Sequence, residues 1–106
     1  MSVRRVVTTA SADDDIVGAI DYYVISGADE AASGFIDALE DAKDLIAEFP
    51  SIGSSRFALE TEIPELRDVA VKRFPFVIFY TDDADAVRIH RVLHTSRDIP
   101  TGLAGG

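Results

Sequence analysis

The chain predicts an α+β domain: a short first strand, an antiparallel two-helix hairpin, then an antiparallel β-meander packed against the hairpin. Three observations carry this. Ala32, Phe35, Leu39, Ala42, Ile46 and Phe49 recur at spacings of 3, 4, 3, 4 and 3, a single apolar stripe along about five helical turns. Beyond residue 65 the pattern changes to short β-branched and aromatic runs separated by turn residues. At 106 residues, 47% of them apolar and 27% charged, the chain suits one folded core, so a single domain over 1–106 is expected.

Residues 3–9, VRRVVTT, read as the first strand. Ser11 then precedes Asp13, Asp14 and Asp15, an N-cap followed by acids that suit the positive end of a helix dipole. Ile16, Ala19 or Ile20, and Tyr23 continue at helical spacing until Gly27, a natural C-terminal stop. The second helix carries the stripe above and ends at Pro50, because the residue before a proline disfavours helical backbone. Gly34 inside it implies a close approach of the neighbouring helix, and the short link around Gly27 and Ala28 implies an antiparallel hairpin.

A turn-rich link follows at 50–55, then a short strand over 56–59 and an acidic loop through Pro64. Strands are expected over 66–74 and 76–81, with Pro75 marking a bend or bulge between them. The Asp-rich stretch 81–86 reads as a turn before a last strand over 87–94. Alternation puts Arg67, Val69, Val71 and Arg73 on one face of their strand. It likewise groups Arg88, His90, Val92 and His94 against Val87, Ile89, Arg91 and Leu93. The tail 101–106, TGLAGG, is expected to fray.

The formal charge of −9 argues against direct nucleic-acid binding by the chain alone, since such binding needs an excess of Lys and Arg. The acidity is concentrated: residues 10–50 hold eleven acids against Lys43, whereas 51–106 hold eight acids against seven bases. With no cysteine, disulfides, thiolate metal sites and thiol nucleophiles are excluded. No apolar run approaches ~18 residues, and the apolar segment after Arg4 and Arg5 is too short for a signal peptide, so a cytoplasmic location is expected.

The working groups should therefore lie in 65–100, which holds five arginines, a lysine and both histidines. Basic groups alternating with apolar ones suit anion or partner contact, though each could equally be a rim charge paired with a nearby Asp. His94, Ser96 and Asp98 invite a hydrolase reading, but groups at i, i+2 and i+4 on extended chain do not line up as nucleophile, base and orienter. On a strand His90 and His94 stand about 13 Å apart, too far to share a metal. Neither a metal nor any other cofactor is expected.

Four strings occur in order behind the hairpin: P-x-x-G-x-x-R at 50–56, E-L-R at 65–67, F-P-F-V-I-F-Y at 74–80 and V-x-I-x-R-V-L-H-x-x-R-D at 87–98. Together they resemble the RelE/ParE superfamily of bacterial type II toxins, and its ParE branch in particular. The resemblance runs from the first strand to Asp98 and implies a RelE/ParE-like fold. RelE-like members cleave mRNA on the ribosome with a basic cluster and a late tyrosine. Here Val77 stands at the catalytic arginine position, Ala70 falls at or near the lysine, and no tyrosine follows Tyr80.

ParE-like members instead inhibit DNA gyrase by binding it and are neutralised by a small ParD-like antitoxin, with which they form a hetero-oligomer. The resemblance thus implies a toxin that is not an enzyme. The alternatives are a RelE-type mRNA interferase, or a non-toxic relative serving as antitoxin partner or corepressor. Arg67, Arg73, Arg91, His94 and Arg97 form the candidate target-binding patch. Phe35, Leu39 and Tyr80 mark the candidate antitoxin groove between hairpin and sheet, or the antitoxin adds a strand to the sheet edge.

Overall fold

The computed structural model describes residues 3–96, so Arg97, Asp98 and the 101–106 tail lie outside the described residues. Seven elements follow in order: β1 (Val6–Thr8), α1 (Ala10–Ile25), α2 (Asp29–Glu48), α3 (Ala58–Thr61), β2 (Arg67–Ala70), β3 (Phe76–Asp82) and β4 (Val87–His94). The four strands form one sheet in the order β1-β4-β3-β2, antiparallel except that β1 runs parallel to β4. This is the α+β arrangement the periodicities predict, with the hairpin on one sheet face.

The first strand is shorter than predicted, and α1 starts at Ala10 with Thr9, not Ser11, as its cap. The tie to the sheet decides this. Thr9 donates its N–H to the Ile89 carbonyl (3.0 Å) and its hydroxyl to the His90 carbonyl (2.9 Å). That holds Thr9 extended while Oγ1 accepts from the Ala12 N–H (3.1 Å). At the other end of α1, Gly27 has φ 76°, Ala28 N–H reaches the Tyr23 carbonyl (2.8 Å) and Gly27 N–H that of Val24 (3.0 Å). These paired bonds form a Schellman motif, whose left-handed position glycine fills without strain.

On α2 the stripe Ala32, Phe35, Leu39, Ala42 and Ile46 is buried, joined by Ala38 and Ala47. Phe49 departs from it: it is the C-cap at φ −129°, outside helical geometry, and is 47% exposed. Gly34 does serve a close approach, but to an aromatic ring rather than a helix, because a Cβ there would lie 3.2 Å from Phe74 Cζ. Phe74 completes an aromatic cluster with Tyr23, Phe35 and Phe76, at centroid distances of 5.0–6.1 Å.

The stretch read as a strand at 56–59 is instead the turn leading into α3. Thr61 returns both its N–H (3.1 Å) and its hydroxyl (2.6 Å) to the Phe57 carbonyl, and Glu62 closes the turn at φ 57°. Strand pairing survives there only as a bridge between Ser54 and Asp68. The predicted strand 66–74 shortens to Arg67–Ala70, since Lys72 and Arg73 form a turn closed by Phe74 N–H on the Val71 carbonyl (3.2 Å). Pro75 sits in the bend before β3, and β4 has the predicted bounds.

Within β4 the face assignment changes. Phe79 pairs with Arg91 but Tyr80 with Ile89, which leaves His90 as an extra residue in a β-bulge. Val92 therefore joins Val87 and Ile89 in the main core beneath the helices. Strict alternation had set it apart from both. Leu93 belongs to a second cluster with Leu66, Val77 and Phe79, against which Phe57 packs.

Candidate functional site

The five predicted target-binding residues do not form one patch. Arg67 is paired with Tyr80, and its guanidinium donates to the carbonyls of Ser51 (3.1 Å) and Gly53 (2.9 Å), fastening the 50–54 link to the sheet. Arg91 reaches α1, where its Nε (2.7 Å) and Nη2 (3.0 Å) meet the two carboxylate oxygens of Asp15. The same carboxylate accepts the Val92 N–H (3.0 Å), and it holds the guanidinium above its ordinary range. Arg73 is exposed on the β2–β3 turn, and His94 lies edge-on to Phe76 (5.2 Å) at that same end of the sheet. Arg97 lies outside the described residues.

The antitoxin-groove residues Phe35, Leu39 and Tyr80 are all buried, at 0%, 3% and 0% exposure. They build the core and present no surface to a partner. Tyr80 donates its hydroxyl to the Pro50 carbonyl (2.7 Å) and accepts from the Gly53 N–H (3.0 Å), while burial holds its pKa above the usual phenol value. Gly53 is required there, because a Cβ would lie 2.7 Å from the Tyr80 hydroxyl and 3.0 Å from both Arg67 Cβ and the Asp68 carbonyl oxygen. Arg56 closes the same joint on Asp68 at 3.4 Å.

An open groove of about 790 Å³ does occur, on the other side of the hairpin, between α1 and the end of β4. Asp14, Gly18 and Tyr22 form one wall; Phe76, Leu93 and His94 belong to the other. Tyr22 is 66% exposed and stacks edge-on with Tyr23 (5.5 Å), whose hydroxyl is raised in pKa chiefly by burial. Gly18 leaves its wall open, with nothing within 4 Å of a Cβ placed on it. Asp15 at the base is held by Arg91, whereas Asp14 is exposed at the lip.

Sequence reasoning passed over Tyr22, Gly18 and Asp14. Their signal was a first helix with large apolar residues off its buried face: Val17, Tyr22, Val24 and Ile25 are all exposed, Ile25 by 84%.

His94 and Ser96 are closer than extended geometry allowed. A turn at 95–96 brings Ser96 Oγ to 2.7 Å from His94 Nδ1, and the Ser96 N–H also donates to that nitrogen (3.1 Å). Nδ1 is thus an acceptor that caps the turn. Asp98, the third group of the hydrolase reading, lies outside the described residues. His90 sits with Nε2 2.8 Å from Thr81 Oγ1; burial pushes its pKa down, with Asp83 opposing and Arg88 adding to the effect. Among the described residues no three His, Asp or Glu side chains gather as a metal site, and no helix is long and apolar enough to cross a membrane.

The groove thus offers apolar and aromatic contact beside an acidic lip, on a fold fastened at residues 50–56. Comparison with known proteins gives that arrangement a lineage. The sequence model for the ParE toxin of the type II toxin–antitoxin system parDE matches residues 6–99. The chain belongs to the ParE toxin family. A solved structure described as the chromosomal ParDE toxin–antitoxin system from P. aeruginosa shares the fold of this ParE-family chain. Its TM-score is 0.72 at 19% identity, covering 89% of this chain and 98% of that one. No curated protein matches by sequence.

Membership in the ParE family agrees with the far side of the sheet. Ala70 and Val77, the positions that would carry the lysine and arginine of a RelE-like nuclease, are direct cross-strand partners here, and both are apolar.

Proposed function

We propose that this ParE-family chain acts as the toxin of a type II toxin–antitoxin module, inhibiting DNA gyrase by binding and neutralised by a ParD-like antitoxin. The observation that carries this reading is the family match over residues 6–99, joined to a groove suited to binding. The antitoxin segment would lie in the α1–β4 groove as an amphipathic helix. Its apolar side chains would meet Tyr22, Phe76 and Leu93, and a basic residue would face Asp14. Occupancy of a surface needs no reacting group, because a few buried anchors supply most of the affinity.

The test is a supercoiling and cleavage assay with purified gyrase and the isolated protein. Loss of supercoiling with accumulated cleaved DNA, reversed by the antitoxin, is the expected result. Full gyrase activity at micromolar protein would end the gyrase reading. Intact gyrase alongside cut mRNA in a translation assay would replace it with the nuclease alternative.

A further inference from the structure

The outer edge of β2 is half covered and half open. Val71 N–H bonds the Phe76 carbonyl (2.9 Å), so Arg67, Val69 and Val71 direct their backbone groups to β3. Asp68 faces the other way and exchanges two hydrogen bonds with Ser54, at 2.8 and 3.0 Å. By the two-residue period, the N–H and C=O of Ala70 point outward as well, and no partner meets them among the described residues. Ala70 is exposed.

Three further features converge on this edge. Beside it, α2 and β2 enclose a cleft of about 130 Å³, lined by Ala42, Leu45 and Val69 with Asp41 at the rim. That is close to the ~150 Å³ apolar cavity that accepts benzene, so it fits one aliphatic side chain. Lys72 and Arg73 border the same cleft, and both are exposed cations in no ion pair among the described residues. In contrast, Arg4, Lys43, Arg56, Arg88 and Arg91 are all paired with carboxylates. Finally, Arg73 has φ 71° at the third position of its turn, where glycine is the favoured residue. Strain of this kind persists where a side chain has a use.

We propose that the open β2 edge at Ala70, with its apolar cleft and the Lys72–Arg73 turn, docks an extended acidic peptide segment of a partner protein, which adds as a further strand. Ala70 supplies the backbone hydrogen bonds, the cleft takes one aliphatic side chain, and Lys72 and Arg73 face carboxylates. This site is separate from the α1–β4 groove, and it stands whether or not gyrase is the target.

The test uses the isotope-labelled protein and a capped peptide of alternating glutamate and valine, followed by amide chemical shifts. Shifts at Val69, Ala70, Lys72, Arg73 and Leu45 that saturate with peptide are expected. A lysine–valine peptide should bind at least ten-fold more weakly, as should the K72E/R73E variant towards the glutamate peptide. R73G relieves the backbone strain, so it should melt no lower than the parent while binding the peptide several-fold more weakly.

Several results would overturn the proposal: no shifts at this edge up to millimolar peptide in a well-dispersed spectrum, shifts confined to the β1 edge, or equal binding of the lysine peptide. Shifts at this edge that grow with protein concentration alone would assign it to a second copy of the chain. Tighter binding of a single-stranded oligonucleotide would assign it to phosphate. Either outcome also refutes the proposal.

Discussion

Asp15 is the group whose removal should be felt most widely. Its carboxylate takes Arg91 Nε and Nη2 and the Val92 N–H, joining the first turns of α1 to β4 just past the bulge. The two side chains are only 15% and 19% exposed, so solvent screens the pair weakly. Asp15→Ala would leave a guanidinium largely buried without this counter-charge, and would orphan the Val92 N–H. Breaking a buried pair costs roughly 3–5 kcal/mol and an orphaned donor about 1–3 kcal/mol. Partial exposure places the sum at the lower end, about 3 kcal/mol. For a domain of about 100 residues that lowers Tm by roughly 12–24 °C.

Asp15→Asn keeps an acceptor oxygen and should lose about half as much. The assay is chemical and thermal unfolding by circular dichroism, with a double-mutant cycle against Arg91→Ala. Coupling of at least ~1.5 kcal/mol is expected for this pair. A loss under ~1 kcal/mol for Asp15→Ala, or coupling near zero, would refute the assignment of this contact as the brace between helix and sheet.

Three other outcomes follow from the same structure. Tyr80→Phe removes the hydroxyl that bridges Pro50 and Gly53 and leaves the Gly53 N–H unpartnered, which should cost about 1–3 kcal/mol in urea unfolding. Asp68 is raised in pKa mainly by burial, against a smaller opposing pull from Arg56, and its Oδ2 is buried without a partner. Its folded pKa thus exceeds the unfolded value of about 3.9, so the neutral acid favours the fold below that value and the advantage fades as pH rises through the folded pKa. Asp68→Asn should flatten stability across this window, seen as a smaller fall in urea midpoint than the parent shows on raising pH from 4 to 7. Tyr22→Ala should leave Tm within about 2 °C, because the ring is mostly exposed, yet weaken antitoxin binding at least ten-fold in calorimetry.

The parts legible in the sequence were those governed by local period and local turns. The α2 stripe, the Gly27 stop and the bounds of β4 depend on neighbours within a few residues, and all three appear in the structure. The start of α1 was not legible, because Thr9 becomes the cap only once β4 holds its backbone extended. The same limit applied to the candidate site. Arg67 and Arg91 looked like surface cations until long-range contacts engaged them with residues 51–53 and with Asp15. Phe35, Leu39 and Tyr80 carried the right apolar character for a groove, but the register put them beneath the helices. The strings at 50–56 and 65–67 were recognisable for a reason unconnected with a partner: Pro50, Gly53, Arg67 and Tyr80 fasten one another.

The extra residue at His90 has a wider consequence. Because side chains along a strand alternate, one surplus position reverses the orientation of everything after it. Val92, Leu93 and His94, which help to wall the groove, all come after it. The groove's wall is therefore set by the length of β4 as much as by its composition. Substitution can change what the wall recognises, but shortening the strand by one residue would turn the wall inside out and leave nothing there to recognise.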